Sequence, residues 1–168
     1  MCLARPVEVF DPGSLRCSAI ATFADIPSAY DGSAGTNRRP AAENTLLANR
    51  DWDALQRWLQ QLGLRQPALE SYGREAERLF RWSIGVADKP LSSLDADDLR
   101  RYDAFVRSPD PDWRMRSKYR RKDSRWRPFF AQRSEAGATF SRHVLRRLFV
   151  WLTAQGYLRS SPLQAARK

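Results

Sequence analysis

The chain has 168 residues with 29 Lys or Arg against 19 Asp or Glu, a formal charge of +10 and a pI near 10.4. This suits one domain and a polyanionic partner, nucleic acid before membrane. Its two cysteines cannot form a framework of bridges, no apolar run approaches the roughly 18 residues of a membrane span, and no basic-then-apolar leader opens the chain. A disulfide scaffold and a membrane protein are excluded on that reading, and the expected compartment is a reducing cytoplasm.

Residues 1–43 mix Pro, Gly, Ser, Asp and Ala without sustained periodicity and read as a flexible leader, with little order before Ala42. Helical patterns occupy 44–163. Residues 45–62 place Trp52, Leu55, Trp58, Leu59 and Leu62 on one arc opposite Arg50, Arg57 and Gln60, and Gly63 ends the pattern. Residues 68–85, entered at Pro67, align Leu69, Tyr72, Ala76, Leu79, Phe80 and Ile84. The opposite face presents Arg74, Arg78 and Arg81, while Trp82 lies off the apolar arc. A third helix begins within "SLDADDLRRYDAFV", where Asp95 caps it and Asp97 and Asp98 occupy the electropositive first turn. Leu99, Tyr102, Phe105 and Val106 face inward.

"SPDPDW" breaks that helix, and a basic segment without a 3.6 period runs on to about Glu135. Within it, "RMRSKYRRKDSRWRPFF", residues 114–130, holds eight Lys or Arg, four aromatics and a single acid, Asp123. Loops of this length inside a compact domain are functional or disordered. Arg116, Lys118, Arg120, Arg121 and Lys122 repel one another, so this arm is expected to be mobile until phosphates relieve the repulsion. Trp126, Pro128 and Phe129 are expected to fix its foot against Phe140 or Trp151. The fourth pattern, 138–155, gathers Phe140, Val144, Leu145, Leu148, Phe149, Trp151 and Leu152 on one half of a wheel and Arg142, His143, Arg146 and Arg147 on the other. Gly156 and Pro162 stop it. With no strand alternation and no repeat, the expected fold is all-α: a small bundle of four main helices with a long basic loop before the last and a flexible N-terminal leader.

Local motifs support no enzyme class. His143 is the only histidine and has no Cys, Asp or Glu at ligand spacing on its helix, the Asp95 to Asp98 cluster is explained by capping, and no metal or cofactor is called for. Charge is more informative. Residues 1–43 carry four Lys or Arg against five acids, 44–107 ten against ten, 108–136 nine against four and 137–168 six against none, so the excess sits in the last 61 residues. Such asymmetry favours a binding surface over a solvated face. The competing view of the second helix is a face of internal salt bridges with Glu70, Glu75 and Glu77; for the fourth, no acid lies between Glu135 and Lys168.

The order "ALESYGREAERLFRWSIGVADKPLSSLDADDLRRYDAFV", "WRPF" and "SRHVLRRLFVWLTAQGYLRSSPL" resembles the N-terminal core-binding, SAM-like domain of the tyrosine recombinase, or phage integrase, family over about residues 44–163. Tyr72, Leu79, Pro90, Leu91, Gly156, Tyr157 and Leu158 carry the resemblance, whereas Ala68 stands where relatives commonly have a capping Thr and Ser161 where Asn-Pro is usual. The resemblance implies a domain that clamps duplex DNA for recombination and integration, alongside other protomers on the DNA. Catalysis would belong to a separate C-terminal domain, with 164–168 starting the linker to it and neither Tyr72 nor Tyr157 acting as nucleophile. The expected DNA-binding residues are Arg74, Arg78, Arg81, Arg116, Lys118, Arg120, Arg121, Lys122, Arg142, His143, Arg146 and Arg147. A stand-alone basic helical adaptor, binding RNA or an acidic protein, is the alternative.

Overall fold

A computed structural model describes residues 10–17, 23–130 and 133–163. Its helices are α1 (Asp51–Gln61), α2 (Gln66–Gly85), α3 (Ala96–Arg107) and α4 (Glu135–Ala154), joined by short 3-10 turns, and no strand occurs among the described residues. None of these helices is long and apolar enough to cross a membrane. The predicted ends shift for local reasons. α1 starts later than its apolar spacing suggests because Asn44 organises the preceding backbone: its side chain accepts from Leu46 N (3.1 Å) and donates to Ala48 O (2.8 Å). Leu47 takes a positive φ of 55° there, which a helix does not accommodate. α4 starts earlier because Ser134 accepts from Gly137 N (3.1 Å) and caps it. α3 opens on the Asp95 cap that its sequence anticipates, Asp98 N to Asp95 (2.9 Å), and Asp98 also returns the bond by accepting from Asp95 N (3.2 Å).

The apolar arcs meet in one core that includes Leu55, Trp58, Leu79, Phe80, Leu148 and Phe149. Each such side chain contributes about 1.5–3 kcal/mol by leaving water. Trp82 joins them, 1 % exposed and edge-on to Tyr102 at 5.2 Å, which corrects its placement off the arc. The reason is that α2 is covered on more than one side, so a single inward stripe does not describe it.

What covers it is the segment expected to be a flexible leader. Among residues 10–17 and 23–43, Leu15 and Ile26 are core residues, and the 3-10 turn Pro12–Arg16 lies on α2. Residues 1–9 and 18–22 of the expected leader, and the expected linker at 164–168, lie outside the described residues. The described part of the leader lacks periodicity because long-range bonds hold it rather than a helix or sheet. Asp51 N donates to Asp31 O (2.8 Å), Arg39 N to Tyr157 O (3.2 Å) and Arg159 N to Asn37 O (2.9 Å). Arg38 donates to the carbonyls of Gly32 (2.8 Å) and Asn49 (3.0 Å) and to the Tyr157 hydroxyl (3.1 Å).

These bonds converge on Asp51, which is wholly buried and accepts from Tyr157 Oη (2.7 Å), Ser92 N (2.9 Å) and Ser92 Oγ (3.1 Å). Burial pushes its carboxyl up to about 6, against the lowering effect of the bonds from Ser92 and Tyr157 and the charge of Arg38. Gly32 is required beside it: φ is +86°, and a Cβ there would stand 2.1 Å from the carboxylate.

Candidate nucleic-acid interface

The arginines of α2 separate by depth. Arg74 is exposed. Arg78 and Arg81 are 9 % and 1 % exposed, so the expected stripe of three on one outer face is corrected to one outward and two inward arginines. Arg78 Nε donates to Pro128 O (2.7 Å) and Nη1 to Glu75 (2.8 Å). Arg81 donates to Glu77 (2.7 Å) and to the carbonyls of Leu15 (2.9 Å) and Cys17 (2.8 Å). Burial pulls both guanidiniums below their ordinary values, while Glu75 and Glu77 respectively work to restore them. Arg78 therefore ties the basic loop to α2, and Arg81 ties down the leader. Salt-bridging glutamates three and four residues upstream are the signal in the sequence that marks both residues.

The loop has a pinned base and an open arm. Met115 N donates to Phe129 O (2.7 Å) and Phe129 N to Trp113 O (3.2 Å), closing the two ends on each other. Phe129 has Tyr102, Phe105 and Trp113 as ring partners at 6.4, 5.2 and 6.4 Å, so the foot's ring contacts are with α3 and the Pro111–Trp113 turn, while the expected Phe140 shares a groove with Phe129 without a ring pairing among the described residues. Trp126 is half-buried with the guanidiniums of Arg81 (5.3 Å) and Arg121 (4.9 Å) over its ring. Arg116, Lys118, Arg120, Arg121 and Lys122 are exposed. Arg121 also reaches Glu77, so one acid on α2 receives both a buried and an exposed arginine.

Arg74, Arg78 and Arg121 line one groove of about 110 Å³ between α2 and the loop, together with Phe130, which is 53 % exposed. An adjoining groove of about 500 Å³ shares Arg74, Arg78 and Phe130 and adds Arg133, whose guanidinium pairs with Glu75. Phe130 and Arg133 were not among the expected site residues.

On α4, Arg142, His143, Arg146 and Arg147 are exposed. Arg142 is not partnerless, as its helix sequence suggested: it meets Asp103 of α3 (3.3 Å) and Glu135 (3.1 Å). Asp103 comes from another helix and Glu135 lies seven residues away, so neither is visible at i,i+4 spacing. Arg147 donates to Tyr72 Oη on α2 (3.0 Å). The expected cations thus divide between the α2–loop groove, the arm, and an α4 face anchored to both α2 and α3. Tyr157, whose hydroxyl is pushed up by burial and by Asp51, is an interior hydrogen-bond donor. No group of three His, Cys, Asp or Glu side chains suited to a metal occurs among the described residues. Comparisons with family models, curated proteins and solved structures find no match to the chain.

Proposed function

We propose that this chain is the core-binding, SAM-like module of a site-specific tyrosine recombinase or integrase, holding duplex DNA through phosphate contacts while a separate domain performs strand exchange. The observation that carries the reading is the exposed arm at 116–122, where Arg116, Lys118, Arg120 and Lys122 stand outward from a base locked onto the helices and Arg121 turns back to Glu77. Arg74 at the groove, with His143 and Arg146 on α4, adds outward basic groups. The order of motifs supports the recombinase reading over a generic basic domain. Arg78 and Arg81 act in this reading as scaffold for the arm and the leader, since their guanidiniums are spent on internal acceptors. Cations arranged in this way neutralise backbone phosphates with release of counterions, which gives affinity without sequence discrimination.

The test is affinity for a duplex as a function of salt. A steep fall in binding with rising salt, and no covalent adduct on suicide substrates, is the expected result. Tight binding to an acidic protein or RNA with no duplex binding would move the assignment to an adaptor.

A further inference from the structure

The loop also holds a concavity of about 330 Å³ that no α2 residue lines, its wall including Arg114, Arg116, Tyr119, Arg125 and Arg127. Two of these arginines build the wall. Arg127 donates from Nε to the carbonyl of Asp112 (2.9 Å) and from Nη1 to the carbonyls of Ser124 (2.8 Å) and Trp126 (2.8 Å). Arg125 is bidentate on Asp123 (3.0 and 2.8 Å) and lies over the Tyr119 ring at 4.2 Å. The other two are uncommitted: neither Arg114 nor Arg116 has an acid partner among the described residues. Arg114 is also fixed by position, since its neighbours Trp113 and Met115 make the backbone bonds to Phe129 that close the loop.

We propose that this concavity is a seat for one doubly charged phosphate group, gripped by Arg114 and Arg116. The charge balance selects that ligand. Four lining guanidiniums are accompanied by two carboxylates, Asp112 in the lining and Asp123 paired with Arg125, which leaves a net of two positive charges. A phosphate monoester near neutral pH carries close to two negative charges and three acceptor oxygens, whereas an internal phosphodiester carries one charge. Guanidinium is the group best matched to such an oxygen fork. The source is either the terminal phosphate of a nucleic-acid strand or a free monoester. The first source rests on the DNA reading above; the seat itself does not.

The experiment uses the full chain with three probes: inorganic phosphate followed by phosphorus NMR, a duplex with 5′-phosphates, and the same duplex with 5′-hydroxyls. Variants are R114Q/R116Q and, as a charge-matched control, R57Q/R100Q, which removes exposed cations from α1 and α3. The expected result is binding of inorganic phosphate and a preference of about tenfold for the phosphorylated duplex, both lost in R114Q/R116Q and kept in the control. Should the double variant fail to fold, R116Q alone, at an exposed position, makes the same comparison. Phosphate binding lost in R114Q/R116Q without a 5′ preference supports the seat and assigns it to free monoesters. Phosphate binding with no duplex binding at all supports the seat and overturns the DNA reading. Duplex binding with no 5′ preference and no phosphate binding, or R114Q/R116Q matching the unsubstituted chain on every probe, overturns the seat and leaves the DNA reading intact.

Discussion

Arg78 Nε donates to the carbonyl oxygen of Pro128 at 2.7 Å, joining the middle of α2 to the end of a loop fifty positions later. Its Nη1 meets Glu75, itself only 2 % exposed. Arg78→Ala removes both bonds and leaves a buried carboxylate with Arg133 as its remaining ion-pair partner. The expected loss is about 2–4 kcal/mol in urea unfolding. Arg74→Ala, one turn away and exposed, should stay within about 0.5 kcal/mol of the unsubstituted chain. Equal stabilities for the two variants would mean that Arg78 does not occupy the interior in solution.

Arg142 and Arg146 separate charge from stability on α4. Arg142→Ala gives up its contacts with Asp103 and Glu135, exposed pairs of the kind worth about 0–1 kcal/mol, and Arg146→Ala gives up none that the described residues show. The double variant should melt close to the unsubstituted chain while duplex affinity falls and the salt slope shallows by up to about two. A lowered melting temperature with unchanged affinity per folded molecule would assign both residues to packing.

Hydrogen exchange should divide the basic loop at its base. Met115 and Phe129 amides are bonded across the closure, whereas those of Arg116, Lys118 and Arg120 donate to no acceptor among the described residues. The first pair should exchange slowly in the free chain and the second group fast, slowing when duplex DNA is added. Arm amides that exchange equally fast with and without duplex would remove the arm from the interface.

Asp51 predicts a pH dependence of stability. Its carboxyl rises from 3.8 to about 6 on burial, so the folded chain binds that proton more tightly than the unfolded chain. The resulting stabilisation is complete below about pH 4 and is lost as pH climbs through 6, a change of roughly 3 kcal/mol. Asp123 and Glu135, held down to about 2 by Arg125 and by Arg107 with Arg142, titrate below that window. Urea midpoints at pH 4, 5, 6 and 7 should fall for the unsubstituted chain and flatten for Asp51→Asn. Parallel slopes would show that another group carries the dependence.

The helices were legible because their signals are local: the apolar arc of α1, the capping acids of α3, the Gly156 stop after α4. The depth of Arg78 and Arg81 was not, since a helical wheel assigns arginine to solvent and is blind to a second layer packed on the opposite side of α2. Their partners include Pro128 O, Leu15 O and Cys17 O, and no periodicity encodes a bond to a distant carbonyl. The order of residues 30–44 escaped for the same reason, because Asn37, Arg38 and Arg39 are organised by partners at 157–160. For the candidate site, composition located the basic arm. Only the fold distinguished its uncommitted arginines from those already bonded.

The seam between Asn37, Arg38 and the stretch from Tyr157 to Ser160 also sets an order of events during synthesis. Asn37 and Ser160 lie 123 positions apart, so at roughly 5–20 residues per second the earlier segment waits about 6–24 s before its partner exists. In that interval α1, α2 and α3 can form and begin to pair, but Asp51 lacks the Tyr157 hydroxyl, and its carboxylate has reason to remain hydrated. Contacts of such long separation close late. A nascent chain halted short of Tyr157 would hold its helices around an unfinished end, with the segment at 30–44 still searching for an edge to join.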